Sequence, residues 1–389
     1  MSTVINVEED MLVNALKKAS ITAKDGYMVS IDPSRKDGDG KVFGSLTSFD
    51  GNTQIVSHFT AKVPEGVKAF SVCTGTEFYN VVMAMSELKK DISIEIAEND
   101  IKLVCGAAKT AIGRKETIEM FEIKADKEQY CVQLKLNEFK KTVLKGSYCP
   151  SREDSRGFRN MLQLTPICPS MEDAKLRMVT SDGYCIAICD GAVNAISKEQ
   201  DAQRSYGVAC DRMRVVAGLF GGDEVNVFFS KNQVVIVNEN DFYIFRTFLT
   251  AYPASVGRMI DKPAHACNVT LDAKELDTAL SLALITNGDM NPVVLELSGK
   301  NLIVSDSFGK SRTEIMVEPS GDIEEAYCCN ASFLKTAVIK AASEKVALGF
   351  DGAAMPLYVR ADGQNNAVGI IAPVHQKEDK DKIPEKSGK

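Results

Sequence analysis

The stretch LRMVTSDGYCIAICD, residues 176–190, places two alternating apolar runs on either side of a Ser-Asp-Gly turn. Alternation of apolar and polar residues is typical of a strand with one buried face. Asp-Gly between two such runs predicts a hairpin, because glycine accepts a positive φ and aspartate bonds its own backbone. Similar runs occur at 45–56, SLTSFDGNTQIV, and, in a looser form, at 302–315, LIVSDSFGKSRTEI. This recurrence indicates three copies of one unit.

Two amphipathic helices accompany each hairpin, with apolar residues at the helical spacing i, i+3, i+4, i+7. A first helix is predicted within NVEEDMLVNALKKAS (6–20), LNEFKKTVLKGS (136–147) and LDAKELDTALSLAL (271–284). A second helix, followed by a strand pair, is predicted within TGTEFYNVVMAMSEL (74–88), CDRMRVVAGLF (210–220) and NASFLKTAVIKAAS (330–343). Asn6 with Glu9, and Asp272 with Glu275, have the spacing of helix N-terminal caps.

The copies read as tandem domains, because the first helices lie roughly 130 residues apart, far more than the period of a solenoid. Polar connectors at 124–129 (KADKEQ) and 261–266 (DKPAHA) mark the predicted boundaries. The fold class is therefore predicted as α+β, with three tandem helix–strands–helix–strands domains. The domains are predicted at 1–126, 127–262 and 263–376, followed by a charged tail at 377–389 that has almost no apolar residue and is expected to be disordered.

Motifs that would identify an enzyme or a metal site are missing from the sequence. Gly309-Lys310-Ser311 resembles the end of a phosphate-binding loop, but the earlier glycine of that motif is replaced by Val304. No G-x-S-x-G or HExxH motif is present, and the three histidines lie far from any cysteine pair with zinc-ligand spacing. We therefore expect no catalytic residue, no metal and no cofactor.

Composition favours an ordinary cytosolic protein. The chain has 389 residues and a net charge of −7. No apolar run approaches the ~20 residues of a membrane span, and no export signal is recognisable. The eleven cysteines are odd in number and scattered, several of them inside apolar runs, which favours reduced buried thiols over a disulfide framework.

Basic residues concentrate on the predicted helices and on the segment SREDSRGFRN (151–160) of an otherwise acidic chain. This distribution predicts a positive face on one side of the chain, because local charge and not the net sum determines binding. The basic residues singled out are Lys17, Lys18, Lys24, Lys140, Lys141, Lys145, Arg156, Arg159, Arg212, Arg214, Lys335 and Lys340.

The order and spacing of these elements resemble the bacterial sliding clamp, the beta subunit of DNA polymerase III, over about residues 4–375. The resemblance is carried by LRMVTSDGYCIAICD, by NENDFYIFRTFLTAYPASVGRMI (238–260), and by AYCCNASFLKTAVIKAASEKVALGF (326–350) followed by VGIIAPV (368–374). It implies a non-catalytic processivity factor of the cytoplasm and nucleoid. Each domain would place its helices inside and its sheets outside, and two chains would close head to tail into a ring around duplex DNA. The basic residues singled out above would then be the DNA-binding candidates, because they would meet the phosphates.

The resemblance also implies two protein-binding surfaces. Ile112, Leu284 and Ile285 would form the homodimer interface. An apolar cleft would take short Leu/Phe peptide motifs from the replicative polymerase, the clamp loader and repair proteins. The positions that match this cleft are Leu162, Ser181, Gly183, Ile186, Pro253, Arg258, Met259, Met290, Asn330, Phe333, Ile370, Ile371, Pro373 and Val374.

This chain departs from the family pattern at both surfaces. Tyr184-Cys185 stand where the family usually has a basic or histidine pair, and Ala372 replaces a larger residue. The edge strand of the third domain, usually acidic, carries Lys310 and Arg312. Two alternatives therefore stay open: a binding or regulatory protein that has this fold without closing a ring, and, less favoured, an enzyme on a repeated α+β scaffold.

Overall fold

The structure of the chain is a computed structural model that describes residues 3–121, 130–150, 160–197, 204–248, 250–262, 265–287, 292–323 and 325–374. The helices within these ranges are α1 (Glu9–Ala19), α2 (Glu77–Ser86), α3 (Leu136–Gly146), α4 (Cys210–Leu219), α5 (Ala254–Arg258), α6 (Ala273–Asn287) and α7 (Ala331–Ala341). None of them is both long and apolar enough to cross a membrane. The six helices predicted from the sequence are confirmed, and the short α5 is additional.

The strands account for most of the remaining described residues. They are β1 (Thr3–Val7), β2 (Tyr27–Lys36), β3 (Val42–Phe49), β4 (Thr53–Lys62), β5 (Phe70–Thr74), β6 (Ile92–Ile96), β7 (Asp100–Cys105), β8 (Ala108–Lys115), β9 (Tyr130–Lys135), β10 (Met161–Ile167), β11 (Lys175–Ser181), β12 (Cys185–Ala192), β13 (Ala195–Ile196), β14 (Tyr206–Ala209), β15 (Glu224–Phe229), β16 (Gln233–Asn238), β17 (Asp241–Arg246), β18 (Cys267–Asp272), β19 (Pro292–Ser298), β20 (Asn301–Asp306), β21 (Arg312–Met316), β22 (Glu318–Pro319), β23 (Tyr327–Asn330), β24 (Lys345–Phe350), β25 (Leu357–Ala361) and β26 (Ala367–Ile371). The α+β class predicted from the sequence is confirmed.

The three hairpin turns share one hydrogen-bonding scheme. Asp50 Oδ1 accepts the backbone N–H groups two and three residues ahead, at 3.0 and 2.8 Å. Asp182 Oδ1 accepts the corresponding pair at 2.8 and 2.7 Å. In the third copy Asp306 Oδ1 accepts the N–H groups two and four residues ahead, at 2.8 and 2.9 Å. The following glycines of the first two turns have φ of 101° and 92°, so the turn chemistry predicted from the three stretches is confirmed.

One of the two predicted helix caps is confirmed and the other is wrong. Asp272 Oδ1 accepts the N–H groups of Lys274 and Glu275, both at 2.9 Å, as an N-terminal cap of α6 requires. The helix α1 instead begins after Glu8 without a side-chain cap. Asn6 lies within β1, where its side-chain oxygen accepts a hydrogen bond from the Ser93 hydroxyl, because a strand neighbour competes successfully for that oxygen.

The fold divides the chain into two compact units. Unit 1 comprises residues 1–143, 160–177 and 191–251, and unit 2 comprises 144–159, 178–190 and 252–389. The predicted three-domain boundaries stay a prediction, because those near 126 and 263 lie outside the described residues, as does the tail at 377–389.

Unit 1 is built on one thirteen-stranded sheet, in the order β1-β6-β7-β8-β5-β2-β3-β4-β17-β16-β15-β9-β13. An additional pairing between β1 and β4 closes the first eight strands on themselves. The pairing of β4 with β17, from Val56 opposite Phe242 to Thr53 opposite Phe245, joins strands of the first and second predicted copies. The apolar faces of α1 and α2 pack on this sheet, with Leu12, Leu16 and Phe78 fully buried.

Unit 2 contains two sheets. Strands β12, β26, β25, β24, β18 and β22 follow one another in the first, and β21, β20, β19 and β23 form the second. The helices α6 and α7 pack against them, and their buried faces include Leu276, Leu280 and Leu334. Four cysteines, Cys149, Cys185, Cys267 and Cys329, belong to the same apolar core.

Candidate functional site

The candidate DNA-binding cations of the helices fall into two groups, those with partners inside the chain and those open to solvent. Lys18 belongs to the first group. Its Nζ lies 2.7 Å from Asp241 Oδ2, and the two side chains are only 12% and 6% exposed. Burial alone would raise the pKa of the Asp241 carboxyl, but hydrogen bonds from His58 and Lys18 hold this pKa below its usual range.

Replacing Lys18 by methionine is expected to destabilise the chain by about 3 kcal/mol at neutral pH, because Asp241 would remain as a buried carboxylate without its counter-charge. In the unmodified chain the stability from Asp241 is present above its unfolded pKa of about 4 and is lost as the pH falls through its lower folded pKa. The difference between the two proteins should therefore shrink in acid. Urea unfolding at neutral and acidic pH measures both effects.

The matched control is Lys17→Met, which changes the exposed neighbour on the same helix and should alter the free energy of unfolding by less than about 0.5 kcal/mol. Equal stabilities for the two variants at neutral pH would show that the Lys18 ion pair contributes nothing.

Two further lysines hold the C-terminal ends of helices. Lys140 Nζ donates to the carbonyl of Phe220, just beyond α4, at 2.9 Å, and Lys145 Nζ donates to the carbonyl of Ala341, the last residue of α7, also at 2.9 Å. Carbonyls at this end of a helix lack intrahelical partners and carry partial negative charge, so a lysine stabilises them. Lys145 is buried, and this helix contact is its observed role.

Carboxylates bind two more of the candidates. Arg212 Nε lies 2.6 Å from Asp50 Oδ2, so α4 is tied to the first hairpin turn within unit 1. Lys335 Nζ lies 2.6 Å from Asp277 Oδ1, joining α7 to α6 within unit 2. These two ion pairs neutralise part of the positive charge that the sequence predicts on the helices.

The remaining described candidates are open to solvent to different degrees. Lys17, Lys24 and Arg214 are exposed, and Lys340 is half-buried. Lys141 is exposed and lies 3.9 Å from Glu138. Arg156 and Arg159 lie outside the described residues.

The candidate partner-binding surface gathers around the hairpin turn at 181–186 in unit 2. Ile186 pairs with Ile370 across β12 and β26. Tyr252 Oη accepts the N–H of Ser181 at 3.0 Å and donates to the carbonyl of the same residue at 3.1 Å. This contact places the hairpin beside Pro253, the next residue along the chain.

The residues that follow β26 are hydrogen-bonded to the same candidate partner-binding surface. The N–H of Ala372 donates to the carbonyl of Tyr184 at 2.8 Å, and the N–H of Val374 donates to the carbonyl of Cys328 at 2.9 Å. Pro373 forms an isolated bridge with Cys329. Residues 372–374 therefore lie between the hairpin turn and the strand that leads into α7.

The start of α7 completes this surface. The side-chain oxygen of Asn330 accepts the N–H groups of Ser332 and Phe333 at 2.9 and 3.2 Å, which caps the helix. Phe333 is half-buried against the unit 2 core. Asn330 is therefore a cap that positions the aromatic ring.

Exposure separates the cleft candidates into open and buried residues. Gly183, Pro253, Arg258 and Val374 are exposed. Met259, like Ile186, is half-buried. The buried members are Ser181, Ile370 and Ile371 in unit 2 and Leu162 in unit 1. Met290 lies outside the described residues. Tyr184, 57% exposed, was not among the sequence candidates although its side chain stands at the turn.

A second apolar surface of unit 2 surrounds the edge strand β21, which pairs only with β20 among the described strands. Met316 on this strand is 80% exposed, Ile285 at the end of α6 is 79% exposed, and Phe308 in the preceding turn is 65% exposed. Leu284 instead packs against the unit 2 core. Of these, Phe308 and Met316 were not among the sequence candidates, because the sequence does not reveal how far an individual apolar side chain is exposed.

The other predicted interface residue, Ile112, lies on β8 in unit 1. Its side chain is 7% exposed and belongs to the unit 1 core. The strand β8 pairs with β7 along its length but with β5 only through Arg114 and Lys115. Among the described strands, its backbone from Ala108 to Gly113 consequently forms an edge on the other side.

Comparison with known proteins reveals similarity in structure but not in sequence. No family model and no curated protein matches the chain. The DNA polymerase sliding clamp of Bacillus subtilis superposes with a TM-score of 0.80 at 15% identity, covering 97% of this chain and 100% of that one. The DNA polymerase III subunit beta of Pseudomonas aeruginosa gives 0.80 at 14% identity, over 96% and 100%. A structure of the same Pseudomonas subunit bound to griselimycin gives 0.81 at 13%, over 97% and 100%.

These superpositions establish the fold. The chain has the fold of the DNA polymerase III beta subunits along nearly its whole length, as the resemblance in its sequence predicts.

Proposed function

We propose, from the fold that the chain shares with DNA polymerase III beta subunits, that it is a DNA sliding clamp, a non-catalytic processivity factor that encircles duplex DNA and tethers a polymerase. The observation that carries this proposal is the match of 96–97% of the chain to solved clamps at TM-scores near 0.80. Because this fold occurs in clamps of bacterial replication, we place the protein in the cytoplasm, on the nucleoid.

Two chains would form the ring, each contributing three domains at 1–126, 127–262 and 263–376. The exposed edge of β21 in unit 2 and the free edge of β8 in unit 1 are the two strand edges that head-to-tail contact would pair. An exposed edge strand with apolar side chains tends to find a partner strand. Ile285, Phe308 and Met316 would then be buried against the second chain.

The decisive experiment follows the protein on a nicked circular DNA after loading, before and after the circle is cut. Retention on the circle at high salt, followed by release when the DNA is linearised, is expected, because a closed ring is held by topology and not by affinity. Equal retention on both forms would overturn the ring. Light scattering of the purified protein separates a dimer from the alternative, a monomeric binding protein with the same fold.

DNA contact through the inner helices should be electrostatic and blind to sequence, since phosphates carry charge but no sequence information. Replacing Lys17, Lys24, Arg214 and Lys340 by glutamine is expected to reduce the slope of log K against log salt by up to ~0.9 for each phosphate that is no longer neutralised. Fluorescence anisotropy with a short duplex at several salt concentrations measures this slope.

The control removes the same charge from exposed lysines that are not DNA candidates. It replaces Lys36, Lys62, Lys68 and Lys300 by glutamine. If the control and the candidate variant change the slope equally, general charge and not the candidate face binds the DNA.

The surface formed by the 181–186 turn, residues 372–374 and the start of α7 would bind short Leu/Phe motifs of the replicative polymerase, the clamp loader and repair proteins. Tyr184, Val374 and Phe333 offer apolar area there, and Arg258 lies on the short helix after Pro253. Burying one Leu or Phe side chain is worth ~1.5–3 kcal/mol, so two such anchors could support a specific complex only after association costs are met.

A further inference from the structure

We propose that Cys149 and Cys185 form an oxidation site, a buried thiol pair that closes into an intramolecular disulfide when the protein meets a peroxide. Their Sγ atoms lie 2.7 Å apart in unit 2. A covalent S–S bond is about 2.05 Å long, so the sulfurs need to approach by only a further fraction of an ångström. This proposal does not depend on the sliding-clamp function.

Both cysteines are held in place by their backbones. The N–H of Cys149 donates to the Thr180 hydroxyl at 3.1 Å, and that hydroxyl donates to the carbonyl of Gly146 at 3.0 Å. Cys185 lies on β12, where its N–H donates to Asp182 Oδ1 at 2.7 Å and its partner across the sheet is Ile371. The two sulfurs thus meet because the end of α3 and the hairpin turn are each fixed, and not through a chance side-chain rotation.

The remaining cysteines provide a contrast. None of the eleven cysteines, all of which lie within the described residues, forms a disulfide. The sulfurs of Cys149 and Cys185 are in direct contact. Cys329 lies in the same apolar core, and burial raises the pKa of its thiol beyond the ordinary range. Cys73, Cys131 and Cys328 are half-exposed and would be the first targets of an oxidant that selects only for access.

The chemistry needs one peroxide as oxidant. Cys149, 6% exposed against 1% for Cys185, is the sulfur that a small peroxide would reach first. Its sulfur attacks one peroxide oxygen, the O–O bond breaks, and the products are a sulfenic acid and water. The sulfur of Cys185 then displaces a second water from the sulfenic acid. Two thiols have given up two hydrogens and two electrons, and one hydrogen peroxide has become two waters; low-molecular-weight thiols reverse the step by exchange.

The disulfide would tie the segment that follows α3 to the hairpin that carries the candidate partner-binding surface. The closed loop spans residues 149–185, and a loop of that size restricts the unfolded chain strongly. The oxidised protein should therefore melt about 5 °C higher than the reduced protein. The link would also hold the chain at Cys149, directly before the segment 151–159. That segment contains two of the DNA candidates, Arg156 and Arg159.

Peptide mapping under non-reducing conditions tests the proposal on the full-length protein. After brief treatment with hydrogen peroxide we expect one cross-linked peptide pair containing Cys149 and Cys185, lighter by two hydrogens and split by dithiothreitol, together with the rise in melting temperature. Cys149→Ala and Cys185→Ala should each abolish both signals, whereas Cys329→Ala should keep them. The mapping needs no variant, so it stays decisive if a substitution impairs folding. Oxidation of Cys73 or Cys131 while Cys149 and Cys185 remain free thiols would overturn the proposal.

Discussion

Replacing both Ile285 and Met316 by aspartate should convert the proposed dimeric ring into folded monomers. The two side chains are about four-fifths exposed in the single chain, so the substitutions leave its core untouched. In the proposed ring they would be buried, and an unpaired buried charge costs several kcal/mol. A cost of that size weakens association by at least ~10³-fold. Light scattering across a dilution series measures the change, and melting curves verify that the monomer is folded.

Met316 is a better second position than Leu284 because Leu284 is partly buried against the unit 2 core. A charge at Leu284 would destabilise the unit itself, and the loss of stability would be confused with a loss of dimerisation. The matched control is Met171→Asp with Val215→Asp, two exposed apolar residues of unit 1 outside the proposed interface. The control should remain dimeric. A dimer that persists at nanomolar concentration in the Ile285/Met316 variant would mean that the ring closes through other residues or does not exist.

Ending the chain after Ile371 should abolish binding of a partner peptide, whereas ending it after Gln376 should leave binding unchanged. The shorter chain lacks residues 372–374, which hydrogen bonds to Tyr184 and Cys328 hold beside the hairpin turn. Phe333→Ala should weaken binding by roughly 10–100-fold, since an apolar anchor is worth ~1.5–3 kcal/mol. Fluorescence polarisation with a labelled Gln-Leu-x-Leu-Phe peptide compares all three proteins with the unmodified chain.

Phe308→Ala is the control for this experiment, because Phe308 is an exposed aromatic residue of the same unit on the proposed dimer surface. It should bind the peptide normally. If Phe333→Ala binds as tightly as Phe308→Ala, the peptide does not use the start of α7 and the assignment of this surface fails.

Local chemistry explains what could be predicted from the sequence. The Asp-Gly hairpin turns and the Asp272 cap involve residues within a few positions of one another, and both were found where expected. The cap at Asn6 was wrong because the competing partner, Ser93, comes from a strand 87 positions away. Spacing along the chain cannot reveal such a partner.

The lysines illustrate the same limit at the candidate site. Basic helices were correctly located, but the partner of Lys18 is 223 positions away and that of Lys145 is 196 positions away. A lysine that binds a distant carboxylate or helix end looks, in the sequence, like one that faces solvent. Within the part of the chain that the structure describes, the DNA candidates best placed to meet phosphates are therefore Lys17, Lys24, Arg214 and Lys340.

The pairing of β4 with β17 gives the sequence repeat and the compact unit of the fold different boundaries. Excising the first copy near residue 126 would strip four residues of β4, from Thr53 to Val56, of their neighbours on β17. Their backbone donors and acceptors would be left without partners, and a new exposed strand edge would be created. We therefore expect the excised first copy to aggregate, although it contains a whole repeat of the sequence.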